Sequence, residues 1–216
     1  MPTKMSMNSI NVKFPRILID KQFKESHVTK FLFTFLLILS VQTSALAKGV
    51  YQTPKQFVSH AFNGDVPKAK ALWLSVEDKK IISDIMSHSF NRLRIRYWQQ
   101  ANETVWVLDE IGKEKPITIG VHIKNKQISE LKVLAFRESR GDEVRHTFFT
   151  KQFKSAFLTK ENKLNQHIDG ITGATMSVRA LTKVARLSLW LNQKVESYTK
   201  SIKLFPTQRE LKGLEA

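Results

Sequence analysis

At 216 residues, a quarter of them charged and none of them cysteine, the chain has room for one medium domain and a targeting segment. The missing thiols exclude disulfides, thiolate zinc sites, iron–sulfur clusters and Cys-x-x-Cys-His haem attachment, so any redox chemistry needs a cofactor held in another way. The formal charge of +16 is strongly basic, but acids interleave at Glu77-Asp78, Asp109-Glu110 and Asp142-Glu143, so most of it reads as solvated surface that sets association rates rather than a specific site.

Residues Phe31 to Val41 form an apolar run preceded by Lys30 and followed by Thr43-Ser44-Ala45-Leu46-Ala47. That order is a basic region, a hydrophobic region and an Ala-x-Ala site, the pattern of a secretory signal cleaved after Ala47. Residues 1–47 are therefore set apart from the fold and the protein is expected in the periplasm, membrane-associated if the segment stays uncleaved. The run is short for a membrane span. The region before it is long for a signal, which a translation start near Val28 would explain. Residues 1–47 hold six basic and two acidic residues, leaving +12 of the +16 on the rest.

Residues 48–91 predict an N-terminal helical part. Thr53-Pro54 opens a helix carrying Phe57, Val58 and Phe62, and Asn63-Gly64 ends it. A second helix is expected after Val66-Pro67, with Ala71, Leu72 and Leu74, and a third over about Ile81 to Phe90. From residue 92 the period changes. Arg94–Trp98, Thr104–Leu108, Ile117–Ile123 and Ile128–Phe136 are β-branched, aromatic-rich runs, and short gaps such as Lys124-Asn125-Lys126-Gln127 favour hairpins. The expected fold is α+β: a single domain with an antiparallel sheet flanked by helices, its central part at 92–195. A charged loop, Arg137 to Arg145, follows the last strand. Met176 to Lys194 then repeats apolar residues at Ala180, Val184, Leu187 and Leu191, a buried helical stripe. The end of the chain, 196–216, is expected to be a loosely held polar tail.

Directly before that helix stands Asp169-Gly170-Ile171-Thr172-Gly173-Ala174-Thr175. Two glycines permit backbone shapes closed to other residues, and a helix start offers unpaired amides and a dipole that favour an anion. Arg179, one turn on, could lean towards the same charge. Two readings fit: Thr172 or Thr175 caps the helix, or the hydroxyl of Thr175 meets a phosphate.

Asp-x-x-Thr-Gly-Ala-Thr resembles the flavinylation motif of the FMN-binding domain family, which includes flavin-bearing subunits of sodium-pumping NADH:quinone oxidoreductases and Rnf complexes. Glu138 and Gly141 match the ends of that family's Glu-Thr-Pro-Gly loop, although Ser139 and Arg140 do not match its middle. Gln152-Phe153 resembles its Gln-Phe segment, and these features follow the family's order across roughly Tyr97 to Asn192. The resemblance implies FMN attached covalently to Thr175 through a phosphoester, placed there from FAD by a flavin transferase. Asp169, Thr172, Gly173 and Ala174 are then the surrounding signal, and Gly170, Glu138, Gly141 and Phe153 are candidates for contact with the flavin. Charge alone, apart from the resemblance, suggests Arg179, with Arg140 or Arg145, to offset the phosphate. It also implies an electron carrier, or a component of an oxidoreductase, facing a membrane or periplasmic redox partner.

The ring needs a partly apolar slot, for which Trp98, Trp106, Phe148, Phe149 and Phe153 are available; Phe153 is preferred because it lies in the shared segment. The six histidines lack metal-ligand spacing, and neither a Gly-x-Ser-x-Gly elbow, a Walker A loop nor a Gly-x-Gly-x-x-Gly fingerprint is present, so no metal or catalytic residue is assigned. Arg94-Ile-Arg-Tyr-Trp98 mixes basic and aromatic residues as some single-strand binders do, but export argues against nucleic acid and leaves association with a membrane surface open. The alternative to a redox carrier is an envelope binding or assembly module that has kept the fold.

Overall fold

The computed structural model describes residues 49–204. The signal segment, its cleavage site, the alternative start and the last residues of the tail lie outside the described residues. Five strands form one antiparallel meander in chain order: β1 (Lys70–Trp73), β2 (Arg94–Gln100), β3 (Glu103–Ile111), β4 (Pro116–Lys124) and β5 (Gln127–Phe136). Helices α1 (Pro54–Ala61), α2 (Val76–Met86), the single turn α3 (Thr147–Thr150) and α4 (Thr175–Leu204) flank it, giving the expected α+β architecture.

The hairpins follow from local chemistry. Between Lys124 and Gln127, which pair, Asn125 and Lys126 both take positive φ (49° and 68°), the type I′ turn whose twist matches that of the strands it joins. One face of the sheet, with Ile95, Tyr97, Trp106, Leu108, Ile119 and Val121, packs on α2 and α4 in the main core. On the other face Val105 and Leu134 meet Phe57, Val58, Ala61 and Phe62 of α1. Thr53 starts α1 with a reciprocal capping box to Gln56, and Ser75 does the same for α2 with Asp78.

Three expectations are corrected. The helix expected over Ile81 to Phe90 stands at Val76–Met86, because Ser75 caps it earlier and Ser87 ends it in a left-handed conformation. The second helix is instead β1, pairing antiparallel with β2 from Lys70↔Tyr97 to Trp73↔Arg94. Leu72 and Leu74 are two residues apart, and both turn towards the main core, which suits a strand's period better than a helix's. The final helix does not stop at Lys194 and give way to a loose tail at 196. It runs to Leu204, because Val195 (2% exposed) extends the Leu187, Leu191 stripe and the Lys194 Nζ lies 2.9 Å from Asp78 Oδ1 on α2.

Candidate functional site

The motif forms a turn that delivers the chain into α4. Ala174 N–H donates to Ile171 O at 3.0 Å, Gly173 sits at φ +85°, and Val178 N–H donates to Ala174 O at 3.0 Å. Ala174 thus holds the cap position, and its methyl has no acceptor to offer. Thr175 is the first helical residue, exposed to solvent. The amides of Thr175, Met176 and Ser177 have no partner inside the helix, so the helix start is open to an anion rather than closed by a capping hydroxyl.

The loop after β5 lies against this turn. Gly141 adopts φ +88°, and a β-carbon there would stand 2.8 Å from Ser177 Oγ and 3.4 Å from Ala174, so only glycine lets the loop approach the first turn of α4. Lys113, Glu138, Ser139 and Arg140 join Gly173 to Ser177 around a cavity of about 490 Å³. Two cationic side chains and the open helix start therefore face one space with Thr175.

Glu138 has a structural task at its rim. Its Oε1 accepts the backbone N–H groups of Lys113, Glu114 and Lys115 at 2.5, 2.7 and 2.8 Å, fixing the β3–β4 turn. Partial burial raises its pKa, but these three donors outweigh it and hold the carboxyl below its ordinary range. The carboxylate anchors the turn that carries Lys113.

Gln152 works from the other side. Its Oε1 accepts the Asp169 N–H at 2.7 Å and its backbone carbonyl accepts from Gln166 Nε2, so the Gln-Phe segment fixes the chain entering the motif. The Asp169 side chain points to solvent, 3.7 Å from His167 Nε2, and Gly170 and Thr172 are exposed beside it. This edge of the motif is open to solvent.

Other expected site residues stand elsewhere. Phe153 is fully buried, edge-on to Phe149 with ring centroids 5.7 Å apart, and offers no face to a cofactor. Trp106 is likewise buried and stacked on Tyr97, and Trp98 packs with the α1 cluster. Phe148 is exposed but pairs with His146 and is absent from the cavity wall. Arg179 does not line the cavity either; its nearest polar contact is Met176 Sδ at 4.0 Å. Arg145 is held by Asp142 and lies 4.7 Å over the Tyr51 ring. The cations at the site are Arg140 and Lys113. Lys113 escaped the sequence reading because it lies in a hairpin turn 62 positions before Thr175, and only the turn's tie to Glu138 brings it near.

Residues 112–189 match the family model of the FMN-binding domain. The matched span runs from the β3–β4 turn through the loop at Glu138 and the motif into α4, and so contains every wall of the cavity. The match supports a flavin-binding domain with FMN as its cofactor. No curated protein matches the chain. The cavity has walls suited to the phosphate end of FMN: unpaired amides, a lysine, an arginine and a glycine turn. Met176 is the one apolar side chain of any length in the wall, so the aromatic slot expected for the ring is not part of this cavity.

Proposed function

We propose that the protein is an exported flavoprotein that carries FMN covalently on Thr175 and relays electrons in an envelope redox chain. The observation that carries this reading is the exposed Thr175 hydroxyl at an uncapped helix start, sharing a cavity with Lys113 and Arg140. In the attachment step Thr175 Oγ1 would bond to the flavin-side phosphorus of FAD as the pyrophosphate bond breaks, AMP leaving and the hydroxyl proton passing by way of the transferase to solvent. The product diester keeps one negative charge. Lys113, Arg140 and the first amides of α4 offset that charge, and Glu138 holds Lys113 in place through the turn. Asp169 and Thr172, exposed at the edge of the motif, serve recognition by the transferase. Once attached, FMN supplies one- and two-electron redox chemistry, while the protein supplies position and charge.

The test is mass spectrometry of protein coexpressed with a flavin transferase. The wild-type peptide spanning Asp169 to Arg179 is expected to carry FMN, Thr175→Ala to carry none, and Thr172→Ala to retain some. An unmodified wild-type peptide would leave a non-redox envelope module as the better reading, and labelling that persists in Thr175→Ala would refute the attachment residue.

A further inference from the structure

We propose that the corner of the sheet where β1 ends and β2 begins docks the protein onto an anionic phospholipid surface. The inference does not depend on flavin attachment. Three large apolar side chains stand exposed there: Trp73 at 65%, Val76 at 78% and Leu93 at 65%. They are neighbours in the fold. Trp73 pairs with Arg94 across the strands, Leu74 N–H donates to Leu93 O at 3.0 Å, and Val76 opens α2 just beyond.

Beside them Lys70, Arg92, Arg94 and Arg96 line a cleft of about 630 Å³, the alternation along β2 putting Arg94, Arg96 and Trp98 on one face. Arg94 also lies 5.5 Å over the Trp73 ring, which joins the charged and the apolar parts. Several basic side chains elsewhere find carboxylates: Lys124 pairs with Glu103, Lys132 with Glu130, Lys183 with Glu110 and Lys194 with Asp78. Among the described residues Arg92, Arg94 and Arg96 have no such partner.

The chemistry of this corner matches a lipid interface. Guanidinium groups bind phosphates bidentately, tryptophan prefers the headgroup level, and Leu and Val suit the acyl boundary below it. An acidic protein segment lying in the cleft would satisfy the arginines but leave Trp73, Val76 and Leu93 in water, because none of the three lines the cleft. The antiparallel register places the start of β2 beside the end of β3, so this corner is at the same end of the sheet as the turn that carries Lys113. Docking would thus bring that end towards the membrane.

The experiment is flotation of the full chain with phosphatidylglycerol–phosphatidylcholine vesicles and with phosphatidylcholine vesicles, read as the ratio of the two partition coefficients. The apolar run at 31–41 acts on both vesicles alike and drops out of the ratio, and the variants separate the corner from the positive charge on the rest of the chain. The ratio is expected to favour anionic vesicles, to fall with salt, and to drop about 100-fold in the triple variant Arg92→Gln, Arg94→Gln, Arg96→Gln. Trp73→Ala with Leu93→Ala should weaken partition while the salt dependence stays. Hydrogen exchange on the unaltered protein supplies a second reading, with slowing at 70–76 and 92–96 expected only with anionic vesicles. A wild-type ratio near one, a ratio unmoved by the triple variant, or exchange unchanged at the corner would overturn the proposal. So would release of the protein from vesicles by millimolar inorganic phosphate or by polyglutamate at constant ionic strength, which would assign the cleft to small anions or to acidic protein.

Discussion

Glu138 places one carboxylate oxygen under three backbone N–H groups, a geometry that a neutral amide imitates poorly. Glu138→Gln keeps an acceptor but removes the charge that strengthens those bonds, and about 1 kcal/mol of stability is expected to be lost at neutral pH. Urea unfolding measures it. The folded-state pKa lies below the ordinary value, so the contribution is complete above about pH 4.5 and fades as pH falls through the folded value. Wild type and variant should therefore converge in acid. Gaps between them that persist or widen there would show that shape rather than charge holds the turn. At this scale the position of Thr175 at a helix start was legible from a hydroxyl before an apolar stripe, whereas Glu138 and Gly141 were singled out only through the resemblance of their loop. The neighbours of Glu138 could not be found, since their amides carry no side-chain mark, and Phe153 was misjudged because an aromatic residue in a shared segment can serve the core as readily as a cofactor.

The elements owe their arrangement to a few close contacts. Gly120, midway along β4, lies under the fully buried ring of Phe57, and an added β-carbon would come within 2.5 Å of it. Gly120→Ala should push α1 off the sheet and cost roughly 1–3 kcal/mol, visible as a lowered thermal midpoint; Phe57→Leu in the same chain should restore part of it. A midpoint unchanged by Gly120→Ala would mean that α1 shifts at no cost. The four long strands and α1 were readable from periodicity and turn chemistry. β1 was not, because four residues give too short a sample of any period and its pairing with β2 is a tertiary fact. The length of α4 was underestimated because its last turns are held by Val195 and by Lys194 on Asp78, partners that a search for local apolar density passes over.

Across the whole molecule, a buried carboxylate ties three elements together. Glu110 on β3 accepts from His88 Nε2 at 2.9 Å and lies 3.4 Å from Lys183 Nζ on α4, joining the segment after α2 to the sheet and the long helix. The hydrogen bond to Glu110 is the main reason the His88 pKa is raised, helped by Ser89 O. A raised folded-state value stabilises fully below the ordinary 6.5 and is lost as pH rises through the folded value. Stability is thus expected to decline over that window, and His88→Gln should flatten the decline in urea midpoints taken across it; a slope unchanged in the variant would place the titrating group elsewhere. This tie was invisible beforehand, since 22 and 73 residues separate Glu110 from its two partners.

Helix α4 begins at Thr175 and continues for 30 residues, which sets a ruler inside the protein. At 1.5 Å per residue, the exposed Lys200 stands about 38 Å along the axis from Thr175. A dye or spin label fixed there could follow binding events without touching the attachment chemistry. The same rigid rod would keep bulky fusions at that end out of reach of the motif, so a transferase could still approach.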